Sequence, residues 1–167
     1  MGRKERNGGS AACDPSLVPS LINIHFVCTG NIYRSRLAEA YCASRRIPGI
    51  RVTSSGIAAG RDGNAAISPW AGDVLDRYGL ASYAAPYWQR STEALVQVSD
   101  VLVFMEAEHE RFCAEWIEPG RHRVEVWGIE DIGSMEFSKI PEKVERTFAM
   151  IRQRSDELLM ALRETGT

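Results

Sequence analysis

The sequence predicts an α/β protein: a doubly wound, four-stranded parallel sheet flanked by helices, with a phosphate-binding loop after the first strand. Three observations carry this prediction. Short runs rich in β-branched residues alternate with helical patterns, which calls for right-handed crossovers and a parallel sheet covered on both faces. The first run ends at a cysteine, and an arginine follows after five intervening residues, where the next helix begins. The chain has 167 residues, 44% hydrophobic and 25% charged, the composition of one globular domain with a sizeable core.

Each element follows from its own stretch of sequence. Residues 1–20, rich in Gly, Ser, Ala, Pro and charge and without a period, read as a disordered N-terminal extension; a single domain is expected over 21–167. Leu21 to Val27 is an apolar run bounded by Pro19 and Gly30 and reads as a buried strand. Between Ser35 and Arg46 the residues Leu37, Ala38, Ala40, Tyr41 and Ala43 fit a helix that Pro48-Gly49 ends. Ile50 to Ser54 is a second strand, followed by a loop with Gly56, Gly60 and Gly63. Ser68-Pro69 opens a helix that Gly79 closes, with proline in the first turn and glycine past the end. A shorter helix runs from about Ser91 to Val98. Asp100 to Met105 is the third strand, Glu106 to Trp116 a helix, His122 to Trp127 the fourth strand, and Pro141 to about Arg163 a long amphipathic helix.

Charge and cysteine usage exclude several classes of function. Twenty Lys and Arg against twenty-two Asp and Glu leave a net charge of -2, so nucleic acid and anionic membrane are not expected partners. The longest apolar runs, such as Val101 to Met105, fall far short of the roughly 20 residues that span a bilayer, and no apolar signal segment follows the N-terminal charges. Cys13, Cys28, Cys42 and Cys113 show no paired spacing, which argues against a disulfide framework or a zinc site and makes a reducing cytoplasm the expected location.

Chemistry concentrates at Cys28-Thr29-Gly30-Asn31-Ile32-Tyr33-Arg34-Ser35. Five residues between Cys28 and Arg34 let the backbone curl so that successive N–H groups converge on one point, while the following helix aims its positive end there. A phosphate dianion fits that cradle. The same field favours a Cys28 thiolate as nucleophile, and the Arg34 guanidinium can hold two phosphate oxygens. The bland alternative is a buried cysteine ending a strand.

With its neighbours the motif reads Val27-Cys28-Thr29-Gly30-Asn31-Ile32-Tyr33-Arg34-Ser35-Arg36-Leu37-Ala38-Glu39, and it resembles the low-molecular-weight protein tyrosine phosphatases. The resemblance runs from about Ile22 to Leu162. Ser54 and Gly56 look like the family's S-A-G turn, Arg90 resembles its A-R-Q, and Asp100 to Glu106 is similar to its D-x-I-L-x-M-D strand. Met105-Glu106, His109 and Cys113 look most like the branch paired with tyrosine kinases of exopolysaccharide export.

The resemblance implies that Cys28 attacks phosphorus, that Arg34 binds the equatorial oxygens, and that Asp131, in Ile129-Glu130-Asp131-Ile132, protonates the leaving oxygen. Thr29, Gly30, Asn31, Ile32, Tyr33 and Ser35 form the substrate-binding loop, with Ser54 in support. No metal and no cofactor is implied, because backbone amides and Arg34 stabilise the three equatorial oxygens. The implied partner is a phosphotyrosine protein, with a tyrosine kinase as a further one.

The chain departs from the family at several positions. Tyr33 stands where most members carry a second cysteine, so the usual neighbour that traps an oxidised nucleophile as a disulfide is missing. Arg36 replaces a proline and reads either as a cation near the pocket mouth or, preferably, as a solvated helix residue. Ile132 replaces the proline after the general acid, and Gly133-Ser134-Met135-Glu136 stand where tyrosines usually follow. Ile32 supplies an apolar wall suited to a phenyl ring, where the family's arginine-phosphatase branch typically has threonine.

His25 reads as a core or edge histidine, while His109 and His122 are isolated and without ligand spacing. Trp70, Trp116 and Trp127 read as packing anchors, and Trp88, close to Arg90, is placed to edge the cleft. The expected activity is metal-independent hydrolysis of phosphotyrosine through a phosphocysteine. The alternatives are a phosphate-binding module with weak or lost turnover, arsenate reduction and protein arginine phosphatase activity.

Overall fold

Ile22, Ile24, Phe26 and Cys28 alternate with His25 and Val27, and both sets find a buried face, so the first strand, β1 (Ile22–Cys28), sits at the centre of the sheet. The structure, a computed structural model, describes residues 21–61, 65–133 and 136–165; the expected extension at 1–20, Gly63 and Ser134-Met135 lie outside the described residues. β1 is followed by α1 (Arg34–Ser44), β2 (Ile50–Gly56), α2 (Pro69–Arg77), α3 (Glu93–Gln97), β3 (Val101–Phe104), α4 (Ala107–Cys113), β4 (Arg123–Val126) and α5 (Ile140–Thr165). Short 3₁₀ turns at Ala81–Tyr83, Ala114–Trp116 and Phe137–Lys139 complete the described elements.

All strand pairs are parallel in the order β2-β1-β3-β4. β1 therefore has β2 on one side and β3 on the other, and the connections leaving the carboxyl ends of β1 and β3 diverge there. Open α/β sheets bind ligands at this switch point.

The two sheet faces carry separate cores. Ile24, Phe26, Val101 and Val103 pack with α1, α2 and α5 through Leu37, Leu75, Phe148 and Ile151. Val27, Leu102 and Phe104 pack on the other face with Val96 and Cys113. Each such side chain stabilises the fold by roughly 1.5–3 kcal/mol, which holds the ends of β1 and β3 still enough to carry a site. Helix ends follow local chemistry: the Ser68 side chain accepts from Ala71 N–H with Pro69 at the first position, and Thr92 caps α3 in the same way.

Two expectations are corrected. β2 continues past Ser54 to Gly56, because Gly56 pairs with Cys28 on one side and bridges to Arg90 on the other. Arg36 is not solvated: α1 buries every residue from Arg34 to Cys42, and Arg36 is only 1% exposed. Its guanidinium donates to Tyr87 O (2.7 Å) and Ala85 O and lies 3.5 Å from the Glu39 carboxylate. A helix wrapped by α2, α5 and the segment after α2 has no solvated face for an arginine to occupy.

Candidate active site

The loop after β1 is shaped by its carbonyl groups. Cys28 O accepts from Ile57 N–H at 3.0 Å, Thr29 O from Ala58 N–H at 2.8 Å, and Ile32 O from Ser68 N–H at 2.9 Å. A trans peptide points its C=O and N–H in opposite directions, so the N–H groups of Thr29, Gly30 and Tyr33 turn to the inner side of the loop. Asn31 adopts φ +54°, a left-handed conformation that asparagine tolerates and a curled loop needs. Gly56 makes the close approach possible: a Cβ there would lie 2.6 Å from both Asn31 N and Thr29 O.

Cys28 lines a cavity of about 240 Å³ together with Thr29, Gly30, Ile32, Tyr33, Arg34, Ser68, Asp131 and Ile132. The Cys28 side chain is buried rather than open to solvent. Its Sγ is 3.0 Å from Ser35 Oγ and accepts from Asn31 N–H at 3.3 Å.

The proton directions behind the sulfur are fixed by buried partners. Asn31 Nδ2 donates to Ser35 Oγ (2.9 Å) and Ser54 Oγ (2.8 Å), and Ser54 Oγ donates to Glu39 Oε2 (2.7 Å). Asn31 Oδ1 accepts from Gln89 N–H at 2.8 Å. With Asn31 donating to it, the Ser35 hydroxyl is left to donate to Cys28. Burial pushes the Glu39 carboxyl above the usual carboxylate range, while Ser54 and Arg36 act in the opposite direction.

Arg34 is 1% exposed and its fork is engaged. Nη1 donates to Glu106 and to Ile129 O (2.8 Å); Nη2 donates to Asp131 Oδ2 (2.8 Å) and Thr29 Oγ1 (3.2 Å). Burial opposes its charge, but Asp131, Cys28 and Glu106 outweigh burial and raise its pKa above the usual arginine value. Nε is buried and has no hydrogen-bond partner among the described residues. Asp131 is half exposed and also accepts from Ile132 N–H at 2.8 Å. Its neighbour Glu130 turns away to Lys143 (3.1 Å).

The structure thus brings Cys28, Arg34 and Asp131 together around one cavity, with Thr29, Gly30, Ile32 and Tyr33 in its wall. Asn31, Ser35 and Ser54 are buried and do not line it. Trp88 covers Gly60, where a Cβ would meet its ring at 2.3 Å, and is not among the residues lining this cavity. Sequence reasoning missed Glu106 and His109: His109 is fully buried, its Nε2 3.0 Å from Thr29 Oγ1 and its Nδ1 accepting from Glu106 N–H at 3.0 Å. The available signal was the spacing of three residues between Glu106 and His109, a reciprocal helix cap. Ser68 was legible only as a cap. Glu106, Glu108 and His109 place ligand-type atoms within 4.8 Å of one another, but Glu106 is ion-paired with Arg34 and both His109 nitrogens are engaged, which leaves no set of free donors for a cation.

Comparison with known proteins agrees with this geometry. The family model described as low molecular weight phosphotyrosine protein phosphatase matches residues 23–166. A protein-arginine-phosphatase of Bacillus subtilis is 28% identical over 148 residues, covering 86% of this chain and 93% of the relative. Among solved structures, a low molecular weight phosphotyrosine phosphatase from Vibrio cholerae O395 superposes with a TM-score of 0.74 at 19% identity, covering 87% of this chain and 99% of that one. The tyrosine phosphatase Wzb from Escherichia coli K30, solved with sulphate, gives 0.69 at 23% identity, covering 85% and 99%. With the family model spanning almost all of the described fold and a cysteine-arginine loop at the sheet's switch point, the chain belongs to the low molecular weight phosphotyrosine protein phosphatase family.

Proposed function

We propose that the protein hydrolyses phosphotyrosine in proteins, without a metal, through a phosphocysteine intermediate. The observation that carries this reading is that Cys28, Arg34 and Asp131 line one cavity, with Arg34 bonded to Asp131 and with Ile32, Ile132 and Tyr33 as apolar walls. A phenyl ring gains from such walls, and its length lets phosphorus reach the buried sulfur. Phosphoserine is too short.

In the first step Cys28 thiolate attacks phosphorus, the bond from phosphorus to the aryl oxygen breaks, and Asp131 gives its proton to the departing phenolate. The loop N–H groups and the Nε–Nη2 edge of Arg34 hold the equatorial oxygens, which supplies the positive charge that a metal would otherwise bring. Arg34 exchanges Asp131 for phosphate as substrate enters. In the second step the Asp131 carboxylate takes a proton from water, the water oxygen attacks phosphorus, and the phosphorus–sulfur bond breaks to restore the thiolate. The expected setting is the cytoplasm, and a tyrosine kinase is an expected partner; among the described residues no helix is long and apolar enough to cross a membrane.

Phosphoarginine is the second reading, favoured by the Bacillus subtilis relative. A guanidinium presents several N–H donors and needs acceptors, which Ile32 does not offer and Asp131 does. Turnover of matched phosphotyrosine and phosphoarginine peptides, with Cys28→Ser as control, tests both. Faster hydrolysis of phosphotyrosine is expected; preference for phosphoarginine overturns the assignment, and activity that survives Cys28→Ser overturns the nucleophile.

A further inference from the structure

We propose that the Thr29 hydroxyl is a dedicated hydrogen-bond donor to a non-bridging oxygen of the bound phosphoryl group, aimed into the cavity by His109 acting as a positioning residue. The proposal rests on the reading of this loop as a phosphate cradle and adds a side-chain donor to its backbone ones.

Glu106 N–H donates to His109 Nδ1 at 3.0 Å, so that ring nitrogen is unprotonated. His109 is fully enclosed, and burial first, then the nearby Arg34 cation, pushes its pKa down to about 4. The ring is neutral at working pH, and its one proton sits on Nε2. Nε2 lies 3.0 Å from Thr29 Oγ1 and therefore donates to it.

Arg34 Nη2, which carries only donors, approaches the same oxygen at 3.2 Å. A hydroxyl oxygen has two lone pairs and one hydrogen. Both lone pairs of Thr29 Oγ1 are taken by N–H donors, which obliges its own hydrogen to seek an acceptor elsewhere. Thr29 and Cys28 line the same cavity, where the acceptor that enters is a phosphoryl oxygen.

Had His109 carried its proton on Nδ1, Thr29 would donate to the ring and offer the cavity only a lone pair, which repels an anion. The buried cap of α4 thus decides the polarity of a group in the substrate pocket. The Glu106 carboxylate assists from the other side by holding Arg34 in place.

The test uses orthovanadate binding, read by fluorescence titration, together with kcat/KM for p-nitrophenyl phosphate on the full chain. Thr29→Val keeps the shape and removes the donor; a hydrogen bond to a charged group is worth roughly ten- to a hundredfold, and losses of that size are expected in both readouts. Thr29→Ser should recover most of each. His109→Leu should reproduce the loss, while His109→Gln should restore it, because a Gln amide presents an acceptor and a donor at a separation close to that of the two ring nitrogens. In the double variant Thr29→Val, His109→Leu, no loss beyond Thr29→Val is expected, since the histidine acts through the hydroxyl.

Vanadate affinity unchanged in Thr29→Val overturns the proposal, and losses that multiply in the double variant overturn the role of His109. The serine and valine variants keep the first question decidable if His109→Leu does not fold. Vanadate binding also separates this proposal from the functional reading above: a protein without turnover still reports the donor, and normal turnover with an indifferent Thr29→Val removes the donor alone.

Discussion

Adjacent carboxylates in the loop after β4 face different partners: Asp131 reaches Arg34 in the cavity wall, and Glu130 pairs with Lys143 on α5. The general-acid role assigned to Asp131 predicts a graded loss. Asp131→Asn should slow phenyl phosphate hydrolysis by roughly 10²- to 10⁴-fold and p-nitrophenyl phosphate by less, because the nitrophenolate leaves without help. Glu130→Gln should leave both rates near wild type, and steady-state kinetics on the two esters checks the pair. Oxidation is the second matter decided by single residues. Cys42 sits at the far end of α1, about 10 Å along the helix from Ser35, beside Ser155, and burial pushes its thiol up to about 12. Cys113 is on the opposite face of the sheet. Tyr33 fills the loop position where a resolving thiol would stand, so neither described cysteine is placed to trap a Cys28 sulfenic acid. Peroxide should carry Cys28 to the sulfinic acid, and mass spectrometry should find no Cys28–Cys42 disulfide.

Among the secondary-structure elements, α1 carries an unusual pair of buried arginines. Arg34 serves the cavity, while Arg36 ties α1 to the carbonyls of Ala85 and Tyr87 and to Glu39. Burial lowers the Arg36 pKa below the usual arginine value, and Glu39 and Cys28 counter that shift. Removing its charge would strand Glu39 and two carbonyls in the interior. Arg36→Met is expected to cost about 3 kcal/mol or more of stability, measured by urea unfolding, because breaking a buried pair leaves an uncompensated charge. Activity should fall with it, since Glu39 receives the hydroxyl of Ser54, and the segment held by Arg36 leads to Gln89, whose N–H fixes Asn31. The end of β2 makes a matching demand. Gly56→Ala would force a Cβ against Asn31 N and Thr29 O and should abolish turnover while leaving far-ultraviolet circular dichroism unchanged.

For the whole molecule, two buried histidines combine into one acid response. His25 in β1 is fully buried between Thr53 Oγ1 and Ser55 Oγ, each at 2.7 Å, and burial pushes its ring down from 6.5 to about 4. His109 is lowered to about 4 as well. The unfolded chain therefore binds more protons than the folded one between pH 6.5 and 4, and the stability these rings contribute is complete above pH 6.5 and declines as pH falls through that window. For His25 alone the decline approaches about 3 kcal/mol at about 1.4 kcal/mol per pH unit. Unfolding midpoints from pH 7 to 4.5 should drop steeply in the wild type and less steeply in His25→Gln. The strand and helix sequence was legible along the chain because apolar periodicity and the Gly, Pro and Ser boundaries are local signals. Cys28 and Arg34 were legible because five residues between them fix a backbone curl. Arg36 was misread because its burial depends on α2, α5 and the segment after α2, elements remote in sequence. His109 looked isolated because its partner Thr29 lies 80 residues earlier and meets it only when β1 and β3 pair. By itself the sequence determined the order of the elements and the chemistry of the loop after β1; the tertiary structure alone decided which buried groups receive each proton, because hydrogen-bond polarity depends on partners that only packing brings within 3 Å.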